Sequence, residues 1–244
     1  PPPLPGIEEP APRPNPHETP FHGTPDQPSR LFEDLFSSKA WAWEERQNIT
    51  LSEIRSWIVR PENLGAYLNK VMNLLDKASH RVMKDPKSNP TFSSFFPKLV
   101  LAIAWQESCL RQFIVEDEKI VFLRSYNGTS VGLMQINELV WRGLYDPQSL
   151  RWDIRYNAQA GCEIVDLYLR QYAVPAAKAG RPMNEETLAR LVYALYNGGP
   201  SQLPQFMDRH RSEDYYPTDK LFFEKYLWVT KKAWQKLERC LVGG

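Results

Sequence analysis

The chain has 244 residues, of which 42% are hydrophobic and 12% aromatic, so it is long enough and apolar enough to bury a substantial core. Its formal net charge of +1 creates no strong field of either sign, which argues against a nucleic-acid partner. The longest uninterrupted apolar run, residues 99–105, is too short to cross a bilayer, which takes roughly 20 residues.

Proline is concentrated in residues 1–29, PPPLPGIEEPAPRPNPHETPFHGTPDQPS. This composition cannot form a packed core and favours extended polyproline conformations, so we interpret the segment as a disordered or extended tether. A ligand for a proline-binding module is the alternative. Residues 30–90 are expected to form a helical part that packs on the domain built by residues 91–244.

The first predicted helical segment spans residues 51–83, with a break where Pro61 follows Arg60. Its apolar side chains recur at helical spacing and form one stripe, namely Leu64, Leu68, Val71 and Leu75. A second helix is predicted to open at Pro97 and to run to about Phe113.

Strand signals are confined to residues 114–130, where a β-rich patch precedes the turn signal Asn127-Gly128. This segment predicts a short hairpin or an irregular lobe. Further helices are predicted over residues 154–172, from the cap Asn184 to the stop Gly198-Gly199-Pro200, and over about 219–241. The expected fold class is therefore mostly α, with one small β-hairpin or irregular lobe.

Glu107 is the candidate catalytic acid. It lies beside the apolar stripe of the helix that opens at Pro97, with Ile103 four residues before it and Leu110 three residues after it. A carboxyl group in this position is partly desolvated, which favours the protonated form that a general acid needs near neutral pH. From spacing alone, the alternative is a solvated or salt-bridged glutamate at the edge of a core helix.

Two uncharged motifs could bind a polar ligand. In GLMQIN, residues 132–137, Gly132 permits close approach of the backbone, and the Gln135 amide both donates and accepts hydrogen bonds. In YNGG, Tyr196 and Asn197 place a hydroxyl and an amide at the end of a helix. Taken separately, the first motif also fits a short buried segment and the second an ordinary helix cap.

The order of these motifs resembles the lytic transglycosylases of the SLT, lysozyme-like superfamily (glycoside hydrolase family 23), which also includes the goose-type lysozymes. The resemblance covers about Phe95 to Val229, and it implies a lysozyme-like helical domain over residues 91–244. Five stretches carry it: AIAWQES ending at Ser108, GLMQI at 132–136, WDIRYNAQAGCEIVDLYL at 152–169, LYNGG at 195–199, and FFEKYLWV with Tyr226 as the match.

The resemblance implies that Glu107 is the single acid/base. It would protonate the glycosidic oxygen of peptidoglycan and then take the proton of the C6 hydroxyl of N-acetylmuramic acid, which closes a 1,6-anhydro ring. Most glycosidases use two carboxylates, but here the substrate's own N-acetyl group is expected to stabilise the positive charge. The implied substrate-binding residues are Ser108, Ser130, Gly132, Met134, Gln135, Tyr196, Asn197 and Tyr226.

Two alternatives stay open. A hydrolytic goose-type or phage-type lysozyme would need a second carboxylate to activate water, and Glu116, Asp117 and Glu118 are candidates in the β-rich segment. A non-catalytic peptidoglycan-binding protein would have no need of the acid at Glu107.

The implied partner is the peptidoglycan glycan strand, and the implied location is the periplasm or cell envelope. Membrane anchoring through a missing N-terminal segment is an expectation that the proline-rich start allows. No cofactor is implied, since the four histidines show no metal-ligand spacing. Cys109, Cys162 and Cys240 leave at least one thiol unpaired within the chain, and whether Cys109 bonds to Cys162 stays open.

Overall fold

The computed structural model describes residues 49–88, 90–179 and 183–242, all of which belong to one compact unit. The proline-rich segment 1–29 lies outside the described residues, so its interpretation as a tether stays a prediction, as do the proposed domain bounds. Within the described residues the α-helices, in chain order, are α1 Leu51–Arg55, α2 Leu64–Met83, α3 Phe96–Ser108, α4 Pro147–Trp152, α5 Ile154–Tyr168, α6 Val174–Ala179, α7 Glu185–Gly198, α8 Gln202–Ser212, α9 Pro217–Thr230 and α10 Trp234–Val242.

Two small antiparallel pairs of strands separate α3 from α4. Strands β1 (Phe113–Glu116) and β2 (Lys119–Phe122) form one pair, and β3 (Ser130–Val131) and β4 (Ile136–Asn137) form the other. The expected mostly α fold with a small β-hairpin is therefore confirmed. None of the described helices combines the length and the apolar character needed to span a bilayer.

Helix α3 forms the centre of the core because its sequence, FPKLVLAIAWQES, is apolar around nearly its whole circumference. Every side chain from Leu99 to Trp105 is buried. Helices α2 and α9 pack against α3, and α5 packs against α2, so the central helix is covered by neighbouring helices. The end of α3 is thereby held in a fixed position, which matters because Glu107 lies there.

Helix α3 ends at Ser108, five residues before the predicted end at Phe113. Cys109 and Leu110 adopt left-handed backbone conformations, with φ of 56° and 60°, which stop the helix and reverse the chain. Leu110 is thereby buried, and its carbonyl accepts a hydrogen bond of 2.6 Å from the Tyr67 hydroxyl of α2. The chain then leaves this anchored point and enters β1.

The predicted helix over 51–83 breaks earlier than expected, because α1 ends at Arg55 and a 3-10 turn at Pro61–Asn63 leads into α2. The tight turn of the hairpin falls at Asp117-Glu118, where both residues have positive φ, and not at Asn127-Gly128, which forms a separate turn. Helices α4, α6 and α8 were not predicted, and the last predicted helix is divided between α9 and α10.

The predicted cap of α7 is confirmed: the Asn184 side chain accepts a 2.9 Å hydrogen bond from the Thr187 amide, and the helix ends at Gly198. This cap fixes where α7 begins. It therefore sets the position of the tyrosines that the same helix carries at its far end.

Cys109 forms a disulfide with Cys240 of α10, with 6.0 Å between the two Cα atoms. Cys162 is a buried free thiol, with its sulfur 3.8 Å from the Ser79 hydroxyl oxygen. The disulfide ties α10 to the residue that follows Glu107 and Ser108. It therefore joins the end of the central helix to the last described helix.

Replacing Cys240 with serine is expected to lower the free energy of unfolding by about 2–5 kcal/mol, since the bond closes a loop of more than a hundred residues. Thermal unfolding with and without a reductant measures this. The reductant should lower the melting temperature of the wild type and leave that of the Cys240→Ser variant unchanged. Equal sensitivity of both proteins to the reductant would contradict the assignment of the bond.

Candidate active site

Glu107 occupies the last turn of α3, where part of the side chain is exposed while one oxygen is enclosed. Its Oε1 atom is shielded from solvent and has no hydrogen-bond partner among the described residues. Burial raises the pKa of Glu107 from 4.5 to about 7. The carboxyl group is therefore substantially protonated near neutral pH, and it can still be reached from one side.

Two neighbouring groups oppose this effect of burial. The Tyr193 hydroxyl of α7 and the positive charge of Lys225 on α9 both stabilise the carboxylate form of Glu107, so both lower its pKa. The Lys225 ammonium donates a 2.6 Å hydrogen bond to the Gln106 side-chain oxygen, which holds it next to Glu107 along the chain. Desolvation is the larger effect, so the pKa stays above its ordinary value.

The backbone of the 132–137 loop is fixed to the end of α3 and to α5 by three buried side chains. The Ser108 hydroxyl donates to the Leu133 carbonyl at 2.6 Å, and the Gln112 side-chain oxygen accepts from the Leu133 amide at 2.7 Å. Asn157 of α5 accepts from the Met134 amide at 2.8 Å. These bonds hold the loop at a fixed position relative to Glu107.

Gly132 is required by this network. Its φ is +77°, and a Cβ atom on it would lie 2.4 Å from the Asn157 side-chain nitrogen and 2.5 Å from the Gln112 side-chain oxygen. The close approach expected between Gly132 and a ligand is therefore corrected: the residue approaches two buried amides of the protein itself.

Ser108 and Met134 are also corrected. Both side chains are buried, with the Ser108 hydroxyl engaged by backbone carbonyls and the Met134 side chain packed against Gly161 of α5. Neither offers free surface to a sugar. They position the loop, whose Met134 carbonyl accepts a 2.6 Å hydrogen bond from the Tyr196 hydroxyl.

Four of the predicted residues keep accessible surface. Gln135 is half-buried with φ of 47°, and its side-chain nitrogen donates to the Gly132 carbonyl at 2.8 Å. Asn197 is exposed at the end of α7, and Ser130 is half-buried in β3. Tyr196 is half-buried. Burial is the largest cause that raises the pKa of Tyr196, and the charge of Glu107 is the second largest. The structure thus brings Tyr196 near Glu107, and Gln135 follows Met134, whose carbonyl accepts the Tyr196 hydrogen bond.

Tyr226 is buried on α9, and its assignment to the substrate site stays a prediction. Its ring packs at 6.2 Å from that of Phe95, and burial and then the charges of Glu185 and Glu186 raise its pKa to about 12. Those glutamates begin α7, whereas Tyr196 lies near the helix's other end, roughly 15 Å away at 1.5 Å per residue.

Tyr193 is the tyrosine that sequence reasoning missed. Its ring stacks on Phe222 of α9 with centroids 4.2 Å apart and planes 7° apart, and its hydroxyl reaches Glu107. Tyr193 precedes Tyr196 by three residues on α7, so the two share a helical face. That spacing was a signal in the sequence.

The acidic residues of the hairpin are not among the groups that shift the pKa of Glu107. Glu116, Asp117 and Glu118 are exposed at the tip of the β1–β2 turn. The neighbours that shift the pKa of Glu107 are Tyr193 and Lys225, and neither is a carboxylate. Within the described ranges, no group of three or more His, Cys, Asp or Glu side chains could hold a metal ion.

A protein-family model described as the Transglycosylase SLT domain matches residues 91–217, just over half of the chain. The matched range contains Glu107, the 132–137 loop and Tyr196, and it ends where α9 begins, so Lys225 and Tyr226 lie outside it. No curated protein and no solved structure matches the chain at a significant level.

Proposed function

The chain belongs to the transglycosylase SLT domain family, and from that membership we propose that it is a peptidoglycan lytic transglycosylase. It cleaves the β-1,4 bond between N-acetylmuramic acid and N-acetylglucosamine without water. The products end in 1,6-anhydro-N-acetylmuramic acid.

The observation that supports this proposal most strongly is the state of Glu107, a carboxyl group with a pKa of about 7 whose electrostatic neighbours include no second carboxylate. In its protonated form it donates a proton to the glycosidic oxygen as the bond to the anomeric carbon breaks. As a carboxylate it then accepts the proton of the C6 hydroxyl, whose oxygen attacks the anomeric carbon. The proton returns to Glu107, so the cycle consumes no water.

The surrounding residues divide into those that contact sugar and those that hold the site. Gln135 and Asn197 present amides with accessible surface, which suit the acetamido and hydroxyl groups of the substrate. Tyr196 fixes the Met134 carbonyl, and Ser108 fixes the Leu133 carbonyl. Ser130 stays a candidate contact because its side chain is half-buried in β3.

Replacing Tyr193 with phenylalanine should move the alkaline side of the pH–activity profile upward. Activity needs protonated Glu107, so it falls as the pH rises through the pKa of about 7. Since the Tyr193 hydroxyl stabilises the carboxylate, its loss should raise that midpoint by about one pH unit. The phenyl ring keeps the stacking on Phe222, and Tyr126→Phe, at a side chain that is 87% exposed, is the matched control. An unchanged midpoint would show that Tyr193 does not act on Glu107.

The disulfide supports a location outside the reducing cytoplasm. Peptidoglycan is also found outside the cytoplasm. Disulfides persist in oxidising compartments such as the periplasm, and here one links Cys109 to Cys240. We therefore place the enzyme in the periplasm or cell envelope. Anchoring at the membrane through a segment ahead of the proline-rich tether is part of the same proposal.

Digestion of purified peptidoglycan sacculi, with the products read by mass spectrometry, tests the function. Anhydromuramic products would support the transglycosylase. Free reducing ends would identify a hydrolytic lysozyme instead, and binding to sacculi without any product would identify a non-catalytic binding protein.

A further inference from the structure

A second concave surface lies beside the first turns of α7, the end of α8 and the start of α9. It is a cleft of about 450 Å³. The side chains that line it and carry the argument are Glu186, Arg190, His210, Glu213, Tyr215 and Lys220. None of these residues takes part in the interactions of Glu107 described above.

Arg190 gives this cleft a fixed and unused set of hydrogen-bond donors. Its guanidinium carbon lies 3.5 Å from the ring centroid of Phe223 and 4.3 Å from that of Tyr215, so the planar group is held between two aromatic rings. Its Nε atom is shielded from solvent and has no acceptor within the described part of the chain. A guanidinium held in this way is pre-organised for an anionic ligand.

The acids near Arg190 do not neutralise it by direct contact. Asp219 accepts a 3.0 Å hydrogen bond from Arg209. Burial raises the pKa of Asp219, and the charge of Arg190 is one of the smaller effects that lower it. The Tyr215 hydroxyl is 2.6 Å from the His210 Nδ1 atom, which fixes the ring above Arg190. Arg190 is half-buried, so a ligand in the cleft can reach it through guanidinium donors other than the shielded Nε atom.

The rim of the cleft carries both signs of charge. Lys220 is exposed on one part of it, and Glu186 and Glu213 are exposed on others. Together with Arg190 these groups sum to no formal net charge, so a phosphate dianion gains little over water. A ligand with a carboxylate and an ammonium group a few atoms apart matches the lining better, since planar guanidinium pairs well with carboxylate and the two glutamates attract the ammonium.

We propose that this cleft binds the zwitterionic end of a peptide, with the carboxylate on Arg190 and the ammonium group between Glu186 and Glu213. The proposal rests on the proposed function, because the peptide stems of peptidoglycan contain diamino-acid residues whose side chains end in this pair of groups. The cleft would then recognise the stem peptide while the Glu107 site cleaves the glycan.

The test is isothermal titration calorimetry of the full chain with a glycan-free stem tripeptide that ends in diaminopimelate. Wild type and Glu107→Gln should bind it equally, because no glycan bond is involved. Arg190→Lys, which keeps the charge and loses the planar fork, should bind at least tenfold more weakly, as the loss of one charge-assisted hydrogen bond implies. Glu213→Gln alters only an exposed side chain and should also weaken binding, whereas Arg239→Gln, an exposed position on α10, should not.

Peptides with the terminal carboxylate amidated or the ammonium acetylated should each bind at least tenfold more weakly than the free tripeptide. Absent binding, or binding that neither Arg190→Lys nor Glu213→Gln weakens, would overturn the proposal. Stronger binding of inorganic phosphate than of the tripeptide would do the same. These binding measurements need no glycan cleavage, so they are independent of the sacculus digestion. If the digestion gave no product, that result would count against the proposed function, and the peptide-binding data alone would decide whether the cleft binds a stem peptide.

Discussion

Replacing Glu107 with glutamine is expected to slow glycan cleavage by about a thousandfold or more, which is the range for loss of a general acid/base. Glutamine keeps the shape of the side chain but can neither donate the proton to the leaving oxygen nor accept the one from the C6 hydroxyl. Initial rates of product release from sacculi, measured near pH 7, give the effect directly.

The fold of this variant should be intact, because burial already favours the neutral form of Glu107, whose pKa is about 7, and an amide matches that neutral form. The matched control is Glu118→Gln at the exposed tip of the hairpin, which should keep full activity. Loss of activity in Glu118→Gln, or retention of activity in a folded Glu107→Gln variant, would move the catalytic role to another carboxylate.

Replacing Gly132 with alanine is expected to lower the free energy of unfolding by about 3 kcal/mol or more and to abolish activity. The added methyl group would lie within 2.5 Å of atoms in Asn157 and Gln112, so these amides must move. Their displacement would leave buried backbone groups of the loop unpaired, at about 1–3 kcal/mol each, in addition to the strain of positive φ. Denaturant unfolding and sacculus digestion measure the two effects.

Two other glycines serve as controls that separate the displacement of the amides from the backbone strain of positive φ. Gly143 has φ of +85° and open space around it, so Gly143→Ala carries only the backbone strain of about 1–2 kcal/mol. Gly65 is exposed near the start of α2 with open space around it, so Gly65→Ala should be neutral or slightly stabilising. If Gly132→Ala costs no more than Gly143→Ala, the loop is not held by the two amides.

The sequence was most informative where a single physical property decides the outcome. The apolar run of residues 99–105 predicted a buried helix. For the glutamate two residues beyond it, spacing left both a partly desolvated and a solvated carboxyl open, and the structure shows the former. The Asn184 cap and the glycines after Tyr196 correctly marked both ends of α7. The grouping of Glu107, Gln135 and Tyr196 was implied by the resemblance to the lytic transglycosylases and not by helical spacing, and the roles of these residues stay proposals.

The remaining features depend on packing between segments that are distant in sequence. Ser108, Gly132 and Met134 were predicted to meet the substrate, yet each is committed to contacts that only the packed α3 and α5 create. Tyr226 was selected through the FFEKYLWV motif. The rotation of α9 directs Lys225 toward Gln106 and places Phe222 under Tyr193, and no pattern within one helix specifies that rotation.

Digestion of sacculi in water enriched in oxygen-18 tests whether water takes part in cleavage, since the proposed cycle on Glu107 uses none. The mass spectra should show anhydromuramic ends that carry no heavy oxygen. Reducing ends that carry one oxygen-18 atom would show that water attacks the anomeric carbon. That result would contradict the single-carboxyl mechanism.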